Sequence, residues 1–137
     1  MIEIINQQQR YWVNLKTFKD LLKRLIEHYR LKDPEVALAF VGTNTIKRLN
    51  RQFLKKNAPT DVLSFPLGER GADGKFYLGD IAISVPQAFK QCFREKHGLE
   101  RELEILTVHG FLHLLKFEHS SGIEEEEEKI RDLVLKG

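Results

Sequence analysis

His109-Gly110-Phe111-Leu112-His113-Leu114-Leu115-Lys116-Phe117-Glu118-His119 holds three of the chain's five histidines. Around it, residues 100–115 carry Leu103, Leu106, Phe111, Leu114 and Leu115 with no intervening proline, which predicts a helix. Residues i and i+4 share a helical face, with Cβ atoms about 5–6 Å apart. His109 and His113 can therefore offer two imidazoles to one metal ion. His119 follows six residues later, past the expected helix end, where a returning chain can bring a third. Three protein ligands leave a tetrahedral ion one open position, the pattern of a catalytic zinc.

A lone histidine on an apolar face is ordinarily a packed core residue. A third histidine behind an i, i+4 pair is much rarer by chance. The same three spacings occur in the H-E-x-x-H-x-x-G-x-x-H pattern of zinc proteases, where the glutamate is the general base. Here Gly110 occupies the glutamate's position and Lys116 the glycine's. The ligand spacing is kept while the protease base is missing, which argues for hydrolysis of something other than a peptide.

The 137 residues suffice for one domain, here 1–137, burying roughly two-thirds of its unfolded surface. With 42% hydrophobic and 31% charged residues, the composition is that of a globular protein. No apolar run is long enough to span a bilayer. Met1-Ile2-Glu3-Ile4-Ile5-Asn6 lacks a basic, apolar signal segment. The single cysteine, Cys92, excludes an intramolecular disulfide and suits a reducing cytoplasm as a buried small side chain. Net charge is +2, but Glu124 to Glu128 hold five of the 20 acidic residues; without them 22 basic residues face 15 acidic. Between Val36 and Thr60 no acidic residue occurs, while Lys47, Arg48, Arg51, Lys55 and Lys56 do. Such a surface suits a phosphate backbone, although a solvated helix face looks the same.

Residues 2–5 read as a strand. Residues 15–30 read as an amphipathic helix on Leu15, Phe18, Leu21, Leu22, Leu25, Ile26 and Tyr29, capped by Asn14 or Thr17 with Asp20. Glu35 to Val41 is a strand. Thr43 and Asn44 cap a helix to about Leu54. Residues 61–66 and 76–84 form an antiparallel hairpin around the turn Gly71-Ala72-Asp73-Gly74. Ser84 caps a helix running to His97-Gly98. Ile123 to Leu135 is the last helix, its glutamates a solvated start favoured by the helix dipole. The fold class is α+β: a single domain with one mixed β-sheet packed by helices and a three-His metal site on a central helix.

Three stretches carry a family resemblance: Asn50 with Pro59-Thr60-Asp61-Val62-Leu63-Ser64-Phe65-Pro66; Leu78-Gly79-Asp80-Ile81-Ala82-Ile83-Ser84; and His109 to Leu114 with Glu118-His119. In order and spacing they closely resemble the YbeY family of bacterial metal-dependent endoribonucleases and ribosomal RNA maturation factors. The resemblance implies one Zn²⁺ per chain held by His109, His113 and His119. It also implies cleavage of single-stranded RNA, maturation of the 3′ end of small-subunit ribosomal RNA and ribosome quality control, with the small subunit as partner; the cysteine usage adds the expectation of a cytoplasmic protein. Two departures stand out. Lys116-Phe117-Glu118 replaces the family's Gly-Tyr-Asp, so a left-handed Lys116 would cost on the order of 1–2 kcal/mol. Leu54 stands where the family tends to carry an arginine directed at the RNA phosphate.

Glu118 and Asp61 are the candidate catalytic carboxylates, with Asp80 an alternative. Glu118 is better suited to orienting an imidazole than to acting as a base. At Asp61 and Asp80 plain backbone capping competes with chemistry. Arg51, Lys55 and Lys56 are the candidate phosphate-binding residues. A non-catalytic ribosome-assembly factor with a structural metal is the rival reading, and a metalloprotease a weaker one.

Overall fold

The computed structural model describes residues 1–55, 60–118 and 122–135. Its elements are β1 (Ile2–Asn6), α1 (Leu15–His28), β2 (Glu35–Val41), α2 (Thr43–Leu54), β3 (Val62–Arg70), β4 (Phe76–Ser84), α3 (Val85–Arg94), α4 (Leu99–Leu114) and α5 (Ile123–Val134). The strands form one mixed sheet in the order β1-β2-β4-β3. β1 and β4 run parallel to β2, and β3 returns antiparallel against β4, as the hairpin pattern predicts. The described residues thus form an α+β arrangement of one mixed sheet and helices.

Alternation along the strands sends side chains to two unequal layers. On one face, Leu38, Ile81 and Ile83 pack with Phe18, Leu21, Leu22, Leu25, Leu103, Phe111, Leu112, Ile123 and Ile130 from α1, α4 and α5. α4 is the central helix of this layer. Leu103, Leu106, Val108, Phe111, Leu112 and Leu114 are all buried, more than a one-stripe surface helix would cover. On the other face, Ile46 of α2 covers Val41, Leu63 and Ala82 in a much smaller core.

Gly110 lets α4 lie close to the sheet. A Cβ built there would stand 2.8 Å from Ile81 Cγ2 and 3.1 Å from Ser64 Oγ. The Ser64 hydroxyl donates to the Gly110 carbonyl at 3.0 Å, joining β3 to the helix. Cys92 is buried on α3, as expected of a small side chain in a helical pattern.

Several boundaries differ from the sequence expectation. β3 continues past Pro66 to Arg70, across an irregularity that includes Gly68 at φ 63°. Proline is tolerated there because β3 is an edge strand. Ser84 caps α3 as expected, accepting from the Gln87 amide. The helix then stops at Arg94 rather than near Gly98, because Lys96 turns left-handed and the His97 amide donates back to the Cys92 carbonyl. Gly98 instead begins α4 as its N-cap. Gly42, not Thr43 or Asn44, is the N-cap of α2, and neither it nor Asn14 before α1 makes a side-chain cap bond.

Candidate metal centre

The C-terminal end of α4 carries the candidate site. One helical turn separates His109 and His113. Their ring centroids are 4.6 Å apart at 74°, and their Nε2 atoms face each other at 3.0 Å. Two nitrogens on a tetrahedral zinc, each bonded at 2.0–2.1 Å, stand about 3.3 Å apart. The pair therefore matches two ligands of one ion to within a few tenths of an ångström.

Each ring has its other nitrogen engaged. Glu127 of α5 takes His109 Nδ1, and Glu118 Oε2 lies 3.5 Å from His113 Nδ1. An ionised carboxylate only accepts, so Nδ1 of His109 donates, and in the neutral ring Nε2 then carries the lone pair that a metal needs. The imidazole side chains are 26% and 22% exposed, so the pair sits at the surface end of the core. His119 lies outside the described residues, as does Lys56. Among the described residues, no group of three or more His, Cys, Asp or Glu side chains is arranged to hold an ion.

The turn after α4 takes the form that Lys116 makes costly. Lys116 has φ 73°. Its amide donates to His113 O at 3.0 Å, and the Phe117 amide donates to Leu112 O at 3.1 Å. This pair of bonds is a Schellman stop, normally built with glycine in the left-handed position. It sends the chain back so that Glu118 meets His113.

The remaining candidates are spread over the fold. The Asp61 carboxylate accepts from the Val62 amide at 2.8 Å and lies 3.5 Å from the Thr60 hydroxyl, while its backbone carbonyl accepts from the Ser84 amide. These bonds hold the start of β3. Asp80 neighbours Ile81, whose side chain meets Gly110, and so faces the opposite side of the sheet from the histidines. Burial raises its carboxyl pKa, with Glu3 adding to the effect. Lys47, Arg48, Arg51 and Lys55 are exposed on or just after α2, also on that opposite layer. Leu54 is 49% exposed beside them.

The expectation of a solvated glutamate run holds for the exposed Glu124, Glu125 and Glu128 and needs correction at Glu126 and Glu127. Glu126 accepts from the Tyr29 hydroxyl at 2.5 Å, and Glu127 meets both His109 and Arg131. The signal for this was helical phase. Glu127 falls four residues after Ile123, three before Ile130 and seven before Val134, all buried. It therefore lies on the apolar stripe of α5 rather than its wet side.

The Endoribonuclease YbeY family model matches residues 3–135. An endoribonuclease YbeY from Oceanobacillus iheyensis is 43% identical over 123 residues, 80% of this chain and 78% of the relative. Those from Moorella thermoacetica and Geobacillus kaustophilus are each 48% identical, over 66% and 68% of this chain. The chain spans 63% and 64% of those two relatives' lengths, just under two-thirds. The solution structure of a Thermotoga maritima protein aligns with a TM-score of 0.62 at 28% identity, covering 94% of this chain and 85% of that one. The motifs, the mixed sheet with α4 at its centre and these matches agree, and the chain belongs to the YbeY family.

Proposed function

We propose that this chain is a metallohydrolase domain that cleaves single-stranded RNA internally, with one zinc ion held by His109, His113 and His119. Its proposed substrate is ribosomal RNA, at the 3′ end of the small-subunit species, and its proposed place is the cytoplasm, on the small ribosomal subunit. The observation carrying this reading is the 3.0 Å approach of the His109 and His113 Nε2 atoms in a family described as endoribonucleases. When bound, the ion supplies Lewis-acid activation of water and of a phosphoryl oxygen.

The chain's own residues divide the remaining work. Glu118, 3.5 Å from His113 Nδ1, is assigned to orienting that ring rather than to accepting a proton from water. Asp61 is assigned to holding the entry of β3, given its bonds to Val62 and Thr60. Arg51, Lys55 and Lys56 are assigned to RNA phosphates. The two lysines act as point charges and do not replace the bidentate guanidinium the family tends to carry at Leu54. A protease reading is opposed by the packing at Gly110, where even a Cβ would crowd Ile81.

The test is cleavage of a single-stranded RNA by the purified protein, before and after chelator treatment and zinc restoration, beside His113→Ala. Metal-dependent cleavage lost in the variant is the expected result. Leu54 favours one other reading, an assembly factor without catalysis, which predicts bound metal, no cleavage above background, and loss of the fold in His109→Ala.

A further inference from the structure

Glu127 lies 18 residues beyond His109 in sequence and on a different helix, yet its carboxylate takes the His109 Nδ1. The other carboxylate oxygen accepts from Arg131 Nη2 at 3.0 Å, one helical turn on. The glutamate side chain is 12% exposed, with His109 at 26% and Arg131 at 36%. A carboxylate held by an arginine on one side cannot swing freely, and it has no proton to give on the other. Its only favourable partner on the imidazole is an N–H. In the neutral ring that favours the Nδ1-protonated tautomer and leaves Nε2 directed at His113 Nε2.

We propose that Glu127, itself held by Arg131, is a positioning residue for the metal centre: it selects the His109 tautomer and ring orientation that present Nε2 to an ion. This rests on the metal reading given under Proposed function. Glu118 offers His113 a looser version, at 3.5 Å and with a 61% exposed side chain. The two supports are thus unequal, and removing the less exposed one matters more.

Glu127→Gln is nearly isosteric, but its amide can turn and donate to Nδ1, which rewards the wrong tautomer. Long-range proton–nitrogen NMR correlation on the metal-free protein at mildly alkaline pH reads the tautomer directly. Competition with a chromophoric chelator reads zinc affinity. The expected results are an Nδ1-protonated His109 in the wild type, a shift toward the Nε2-protonated form in Glu127→Gln, and zinc binding weakened about 10- to 100-fold. Arg131→Met should shift both readouts in the same direction by less. A wild-type His109 protonated on Nε2 would overturn the proposal, even where the variants fold poorly. So would a Glu127→Gln protein that melts earlier but keeps tautomer and affinity unchanged, since Glu127 would then merely tie α5 to α4. Absence of zinc binding in the wild type would fail the metal reading instead, and the NMR arm would still decide whether Glu127 sets the tautomer.

Discussion

α4 has an imidazole–carboxylate pair at each end, and they differ in the nitrogen used. At the N-terminal end, His97 Nε2 meets Glu102 Oε1 at 2.5 Å, and Gln91 Nε2 donates to Glu102 Oε2 at 2.9 Å. Glu102 is only 5% exposed, and its oxygens are both occupied by groups from α3 and the turn that follows. That cluster closes on itself and joins α3 to α4. At the C-terminal end the carboxylate takes Nδ1, and Nε2 is left facing a second Nε2. The same two side-chain types make a structural clasp in one place and orient a pair of facing ring nitrogens in the other.

The sharpest way to break this comparison is at Glu102. Glu102→Ala should destabilise the fold by about 1–3 kcal/mol, because it removes a buried carboxylate and leaves the half-buried His97 and Gln91 groups without their partner. Urea denaturation measures the loss. Zinc affinity of the folded variant should not move, and a parallel fall in affinity would erase the distinction between the two ends.

Gly110→Ala probes how closely the histidine end of α4 must lie on the sheet. The contacts at 2.8 and 3.1 Å predict overpacking of about 1–3 kcal/mol, offset by up to about 1 kcal/mol of helix propensity. A net loss of about 1–2 kcal/mol in the same denaturation experiment is expected. Lys116→Gly should act in the opposite sense. Relief of the left-handed lysine, less glycine's larger unfolded-state entropy, leaves a gain of about 0.5–1 kcal/mol. A loss would mean that Lys116 contributes through its side chain.

The smallest effect concerns Glu104, near the N-terminal end. Burial pushes its carboxyl pKa up, against the pull of Arg101. The folded state therefore binds the proton more tightly than the unfolded chain. Ionised Glu104 lowers stability above its folded pKa, and that cost disappears below the unfolded value. Glu104→Gln should be slightly more stable than wild type at neutral pH, with the gain shrinking as pH falls through the carboxylate range. Thermal melts across that range check the sign.

Much of this architecture is legible in residue spacing. The apolar spacing of α1, the apolar run of β2, the hairpin of β3 and β4 and the His109–His113 pair all follow from side-chain periodicity, which packing reinforces. Helix ends were harder to read. Lys55, Lys96 and Lys116 all adopt positive φ at helix ends, where glycine or asparagine would announce the stop and lysine does not. Glu127 was hidden differently. Its neighbours in a run of five glutamates have identical chemistry, and only the phase of the buried Ile123, Ile130 and Val134 distinguishes it. Asp61 and Asp80 sit in strongly patterned motifs, but one holds a strand entry and the other faces the far side of the sheet.

The most direct measurement is the metal content of purified wild type, His97→Ala, His109→Ala and His113→Ala, by elemental analysis with circular dichroism to confirm folding. About one zinc per chain in wild type and His97→Ala, and almost none in folded His109→Ala and His113→Ala, is the predicted result. Zinc retained by both of the latter variants, or absent from wild type under every loading condition, would contradict a metal centre at the end of α4.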